Sequence, residues 1–470
     1  MKAFGGSLLF FLVSLASCAS TPGGQVPART TAPAAATTRH QAGPIVFHEN
    51  DFAGALAEAR KAHLPVFVDA WATWCHTCLS MREYVFTDPQ IRALGGRFVW
   101  LAIDTEKAEN AAFLADYPME NWPTLWVLDP SAEGKPPSPA LRWNGSATAA
   151  ELAGLLEDAE SAISRRDTGG EAGAAYLRGN QATAAGKSDE AIAAYDQALA
   201  VAPPGWPRRA RTIEALSTRL WAKHDYARCA ELAAKEMPSL PPGTSLKAVA
   251  YNGLMCVESL PKNAPSPHTA AIIAEARRIV TDPNQPILAD DRSELWEELV
   301  GALKEAGKAD EARSVASAWA QFLDREAARA PTPAARAVFD AHRLDAHLEL
   351  GDPSSAIAAL LKSEHDFPKD YNPPARLANA YFMLKDYDRA LLAINRALLV
   401  AYGPRKLRLL SLKANIQAGK GDPKGERATL DEAVTLSRSL TLSGGYARLR
   451  TDLEKRLEQR ATVAPSPAKP

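Results

Sequence analysis

The sequence predicts an α/β domain, a central mixed sheet flanked by helices, followed by an all-α solenoid. Three observations carry this. Between Ile45 and about Arg165, short β-branched runs alternate with helical patterns. After Asp167-Thr168-Gly169-Gly170 the strand patterns vanish and amphipathic helical stretches succeed one another. In that second part Gly186-Lys187-Ser188-Asp189-Glu190-Ala191 returns almost letter for letter as Gly307-Lys308-Ala309-Asp310-Glu311-Ala312, with weaker echoes at Gly351–Ala356 and Lys385–Ala390. The last two echoes place their alanines 34 residues apart, and Ala191 to Ala227 is 36. A helix–turn–helix unit at that period marks a solenoid.

Length and charge bound the rest. A chain of 470 residues exceeds one ordinary domain, and 46% hydrophobic content supports developed cores. A formal net charge of −1 gives no basic footprint for nucleic acid, so none is expected as a partner.

Residues 1–17 read as a targeting segment. Lys2 supplies the positive start, and Ser7 to Ala16 an apolar core too short to span a bilayer. Leu15-Ala16-Ser17-Cys18 resembles the bacterial lipobox, which implies a cut before Cys18 and a lipid on its sulfur. The competing reading is a plain signal peptide with an incidental cysteine. Ala19 after the cysteine resembles lipoproteins forwarded to the outer membrane, which implies a lipid-anchored protein on the periplasmic side of the cell envelope. No later segment has eighteen uninterrupted apolar residues. Residues 18–43, rich in Ala, Thr, Pro and Gly, predict a disordered tether with a reach of roughly 25–30 Å.

Elements follow in order through 44–166. Asp51 to Ala62 reads as a helix capped by Asn50 or Asp51, and Pro65 to Trp71 as a buried strand. A helix begins at Cys75, and Asp88-Pro89 restarts one to Leu94. Arg97 to Ile103 predicts a strand, Lys107 to Tyr117 a helix and Thr124 to Leu128 a third strand. Leu141 to Trp143 predicts a short edge strand, and Ala149 to Ile163 a closing helix. Residues 171–462 hold the helical repeats, with Leu240 to Gln285 the least regular stretch, Tyr446 to Arg460 a polar closing helix and 463–470 a loose tail.

Spacing inside the repeats agrees. Gly179, Ala191, Tyr195, Ala198 and Pro203 fall where tetratricopeptide repeats place small residues, an aromatic and a closing proline; Ala378, Ala390, Ile394, Ala397 and Tyr402 repeat this. The region resembles a tetratricopeptide array of six or seven units. Such an array implies a concave groove for a protein or peptide partner, or a rigid spacer.

The chemistry lies in Val66-Phe67-Val68-Asp69-Ala70-Trp71-Ala72-Thr73-Trp74-Cys75-His76-Thr77-Cys78. Two thiols at that spacing close a small disulfide ring, and a helix starting there lowers the first thiol's pKa. Thiol–disulfide exchange needs that pairing of an attacking thiolate with a resolving neighbour. Cys229 and Cys256, far downstream, are either a structural disulfide or two small buried residues, since helix spacing alone does not place their Cα atoms.

Taken together, Ile45 to Ile163 resembles the thioredoxin superfamily. Asp69 stands at its buried acid, Trp71 and Trp74 at its two tryptophans, and Cys75-His76-Thr77-Cys78 at its redox motif. Trp122-Pro123-Thr124 matches the loop whose proline is cis and faces the cysteines, and Gly145 with Leu152 matches the turn into the last helix. Tyr84-Val85-Phe86-Thr87-Asp88-Pro89-Gln90 looks most like the C-terminal domain of DsbD-type reductant carriers. The resemblance implies a thiol–disulfide oxidoreductase with no cofactor beyond the Cys75–Cys78 pair, acting on protein disulfides: a reductase, the favoured direction, recharged by an upstream thiol donor, or the reverse, restored by an oxidant. One departure stands out: the lysine many thioredoxins keep near the acid falls at Trp100 or Leu101.

By that resemblance Cys75 attacks, Cys78 resolves, and Asp69 is either the general base or a satisfied acid under the helix. Trp74, Trp122, Pro123 and Thr124 are the expected substrate-binding positions, with Thr124 offering a strand edge to an extended substrate. Trp122 either shapes that groove or simply packs. His76 joins them, either tuning the Cys75 thiolate or lying solvated. No metal site is expected, because Cys75, His76 and Cys78 crowd one helical turn. His342 and His347 are assigned no role. Two other functions stay open: a scaffold lipoprotein with a vestigial pair, and a reductase for apocytochrome c. Haem attachment is excluded, since Leu79 follows Cys78.

Overall fold

The computed structural model describes residues 39–42, 45–119, 121–131, 136–164, 169–261, 263–440, 442 and 444–462. The targeting segment with Cys18, the tether up to residue 38 and the tail at 463–470 lie outside them. The chain divides into two compact units: Ala35–Gly403 is one, and Pro404–Pro470 belongs to the other.

Among the described residues six strands form one sheet: β1 (Arg39–Ala42), β2 (Ile45–Glu49), β3 (Val66–Trp71), β4 (Val99–Asp104), β5 (Thr124–Asp129) and β6 (Ser138–Asn144). Their order is β1-β2-β4-β3-β5-β6, parallel at β2–β4 and β4–β3 and antiparallel elsewhere. The sheet corrects the tether expected over 18–43, because Arg39–Ala42 pair with β2. An outermost strand is held by backbone hydrogen bonds and needs no apolar side chains, so composition hides it. The last strand is also longer than the three residues expected, and its Asn144 lies opposite Thr124.

Among the described residues five helices accompany the sheet: α1 (Phe52–Ala62), α2 (His76–Ser80), α3 (Pro89–Arg92), α4 (Ala111–Asp116) and α5 (Ala149–Ile163). The Asp51 side chain caps α1 by accepting from the Gly54 N–H, and Thr148 with Glu151 forms a reciprocal capping box on α5. The helix expected over Lys107–Tyr117 is split, a 3-10 turn at Ala108–Asn110 preceding α4. Alternation along β3 decides the two faces: Val66, Val68 and Ala70 pack with Ala55, Ala59 and Phe113. Phe67 points the other way, into Met81, Val85, Phe86, Trp100 and Leu152, which puts Asp69 on that same face.

The helical region of the first unit is a run of antiparallel pairs. They are α6 (Gly170–Ala184) with α7 (Ser188–Val201), α8 (Arg209–Ala222) with α9 (Tyr226–Glu236), and α10 (Thr244–Ser259) with α11 (Thr269–Thr281). After α12 (Ala289–Glu305) and α13 (Ala309–Arg329), the short α14 (Pro333–Ala337) leads into α15 (Asp340–Glu349) and α16 (Ser354–Asp366). The last pair is α17 (Asn372–Met383) with α18 (Tyr387–Val400). The stretch expected to be least regular contains two full helices, and its prolines at 261, 265 and 267 fall between them. The second unit contributes α19 (Arg405–Lys420), α20 (Pro423–Arg438) and α21 (Gly444–Thr462), with buried Glu426 taking Arg456 at 3.2 Å and Arg460 at 2.6 Å.

The recurring sequence has a geometric cause. Gly186, His224, Gly307, Gly351, Lys385 and Gly421 all adopt positive φ between paired helices. In each case the following N–H bonds a carbonyl five residues back, as Lys187 does to Ala182 and Asp386 to Tyr381. Close packing explains the small residues: a Cβ on Gly179 would lie 2.4 Å from the Tyr195 ring. Cys229 and Cys256 are disulfide-bonded, with α9 packed on α10 and the two Cα atoms 6.1 Å apart.

Candidate active site

Strand β3 ends at Trp71, and the chain turns through Ala72-Thr73-Trp74 into α2. Cys75 is extended at φ −80°, ψ 105° and caps α2, its sulfur accepting the Cys78 N–H at 3.0 Å. Cys75 and Cys78 are joined as a disulfide. A sulfur placed on a helix N-terminal N–H is one whose thiolate the backbone stabilises. After Ser80 the helix widens into a single π turn over Met81–Val85.

That turn carries a residue sequence reasoning missed. Arg82 lies over the Trp71 ring at 3.7 Å, reaches the Asp69 carboxylate at 3.4 Å and pairs with Glu49 at 3.3 Å. Asp69 is fully buried and one of its oxygens lacks a hydrogen bond among the described residues. Burial raises its pKa to about 6, and Arg82 opposes that rise. Trp100, at the position of the expected lysine, packs on Phe67 at 4.7 Å.

The proline loop closes the other side. The Trp122–Pro123 peptide is cis. Trp122 donates its indole N–H to Thr105 at 2.8 Å and stands 5.1 Å from Trp74, whose own N–H bonds Glu106. Ala72, Cys75 and Cys78 form a small apolar cluster with Trp71, Trp74 and Trp122 against it. Thr124 corrects its expectation: it lies in an interior strand, opposite Ala70 on one side and Asn144 on the other, and is fully buried. The Pro123 carbonyl is taken by the Gly145 N–H. With both neighbours paired, Thr124 offers no edge to a substrate.

Helices of the solenoid cover this face, which no local pattern announced. Thr73 donates its hydroxyl to Tyr371 at 2.7 Å, and Asn372 donates to the Thr73 carbonyl at 3.0 Å. Tyr402 donates to Asp104. Gly403 comes so near Glu106 that a Cβ would sit 2.1 Å from its carbonyl oxygen. Cys75, expected to be the open thiol, is 4% exposed, and Cys78 is 0%.

His76 is partly buried and held by partners, its side chain 24% exposed. Its Nδ1 lies 3.0 Å from both carboxylate oxygens of Asp290 on α12, and its ring stands 3.9 Å from that of His342 on α15. Burial works against its charge, yet Asp290 prevails and lifts its pKa to about 9. His342, assigned no role from sequence, is buried beside it, and burial holds it neutral with a pKa well below the usual histidine value. Further links join the domain to the solenoid, among them Ser146 donating to Asp291, and Arg208 and Arg211 paired with Asp158.

Comparison with known proteins agrees with the geometry. A family described as thioredoxin-like matches residues 48–130. The thiol:disulfide interchange protein DsbD of Vibrio vulnificus is 35% identical over 87 residues, 18% of this chain and 14% of that protein. Thioredoxin C-3 of Corynebacterium nephridii is 30% identical over 99 residues, 21% of this chain and 63% of that protein. These matches thus span a small part of the first relative and under two thirds of the second. A tetratricopeptide repeat protein structure from Parabacteroides merdae superposes with a TM-score of 0.41 at 11% identity, covering 63% of this chain and all of its own. Residues 48–130, with the capped Cys75–Cys78 pair, the buried Asp69 and the cis-proline loop, are a thioredoxin-like domain.

Proposed function

We propose that this chain is a thiol–disulfide oxidoreductase of the bacterial cell envelope, working as a protein-disulfide reductase. The observation that carries this is Cys75 at the cap of α2, its sulfur on the Cys78 N–H, in a domain with Asp69 buried on the face that packs against the following turn. In the reduced protein the Cys75 thiolate attacks a substrate disulfide, forming a mixed disulfide and expelling one substrate thiolate. Cys78 then gives its proton towards Asp69 and attacks the Cys75 sulfur. The Cys75–Cys78 bond forms, the second substrate thiolate leaves, and two electrons have passed to the substrate. An upstream dithiol restores the pair, and no cofactor is needed. The solenoid recruits a partner or substrate protein, and Cys18 carries the lipid that holds the chain at the periplasmic side of a membrane, the outer one by its Ala19.

The test is trapping. A Cys78→Ala variant accumulates mixed disulfides through Cys75, and wild-type protein turns over insulin disulfides. The burial of Cys75 favours a second reading, an adaptor in which the pair is a closed structural bond. Absence of adducts, together with Cys75→Ser behaving as wild type, establishes the adaptor instead.

A further inference from the structure

We propose that His76, Asp290 and His342 form a site for a divalent cation of the zinc class, joining the redox hairpin to the solenoid. The His76–Asp290 contact taken alone is an ordinary ion pair. His342 is what an ion pair leaves over. It is 1% exposed, and neither ring nitrogen has a hydrogen bond among the described residues. Buried imidazoles normally find a partner for at least one nitrogen, because the lost hydration is otherwise uncompensated. This one is directed into a ring of ligand atoms instead.

The distances suit a metal. One ring nitrogen from each histidine and a carboxylate oxygen of Asp290 all lie within 4.8 Å of one another. His76 Nδ1 is 3.0 Å from Asp290, and His342 Nδ1 is 3.8 Å from the same carboxylate. Ligands about 2.1 Å from a tetrahedral zinc are separated by roughly 3.4 Å, between those two values. Two imidazoles and one carboxylate are a donor set that zinc favours over the hard cations. Glu297 stands 3.5 Å from His342 Nε2, the ring nitrogen turned away from Asp290, so it would orient that imidazole, while water reaching the partly exposed His76 would supply the fourth ligand. The ligands come from three elements, α2, α12 and α15, so the cation would fasten Cys75's neighbour to the solenoid. None of this depends on the redox reading.

Full-length protein with both disulfides closed, so that no thiolate competes, is stripped with chelator and titrated with zinc chloride against a chromophoric competitor. One equivalent binds, and the melting temperature rises with zinc. His342→Gln and Asp290→Asn each weaken binding by at least about tenfold, whereas Glu258→Gln, in the acidic side chains further along the solenoid, leaves it unchanged. Cobalt chloride with wild-type protein gives the visible absorption of a tetrahedral nitrogen–oxygen site, a readout needing no variant. Wild-type protein that binds no stoichiometric zinc overturns the proposal. So does a cooperatively folding His342→Gln that binds as wild type does, or a Glu258→Gln that loses the site.

Discussion

At Asp69 two opposing forces meet, and burial wins over Arg82. Because the folded pKa of about 6 lies above the ordinary 3.8, the folded state holds the proton more tightly than the unfolded one. Stability tied to this group is therefore full below pH 4 and falls as pH rises towards 6, by about 3 kcal/mol in all. Asp69→Asn removes that loss: its thermal midpoint exceeds wild type at pH 8 and matches it at pH 4. A midpoint difference independent of pH shows that the carboxyl is not the source. If the same group serves as base, single-turnover resolution of a mixed disulfide in Asp69→Asn slows by at least about tenfold. Asp69 was legible from its place before the cysteines. Its cation was legible too, since Arg82 follows Cys78 by four positions and so shares its helix face.

Among the elements, the interhelix turns show how one backbone conformation writes a repeat into sequence. Glycine occupies the left-handed position in four of the six turns, and His224 and Lys385 hold it in the other two. A non-glycine residue there costs about 1–2 kcal/mol. Lys385→Gly is accordingly neutral or stabilising, while Gly307→Val lowers the urea midpoint; equal effects of both would remove the conformational explanation. Packing between helices is stricter. Gly179→Ala drives a methyl into Tyr195 and costs about 1–3 kcal/mol, measurable by the same unfolding curves. These positions were readable because each is decided locally, by a turn angle or a single crossing. Thr124 was misread for the opposite reason: whether a strand is an edge depends on where its neighbour ends, and β6 ends one residue later than expected, at Asn144.

For the molecule as a whole, the feature with most consequence is the cover over the redox pair. Tyr371 and Asn372 hold the Thr73 segment through hydrogen bonds made 298 and 299 residues away in sequence. In reduced protein, Asn372→Ala and Tyr371→Phe are expected to speed alkylation of Cys75 several-fold with little change in stability. Unchanged rates would show that these contacts do not limit access. A separate clamp acts within the solenoid. The Cys229–Cys256 bond closes a loop of 27 residues between α9 and α10, and the paired alanine variant loses about 3–4 kcal/mol of unfolding free energy with Cys75–Cys78 intact.

Sequence alone determined the two architectures, the capped cysteine pair, the buried acid, the proline loop and the repeat turns. Each of these rests on residues close in the chain, where periodicity, capping and backbone preference act. Tertiary structure alone decided that His76 meets Asp290 and His342, that Cys229 bonds Cys256, and that the redox face lies under α17. Those outcomes come from helices packing across hundreds of residues, where the burial of apolar surface selects the arrangement and no short-range pattern records which side chains will face each other.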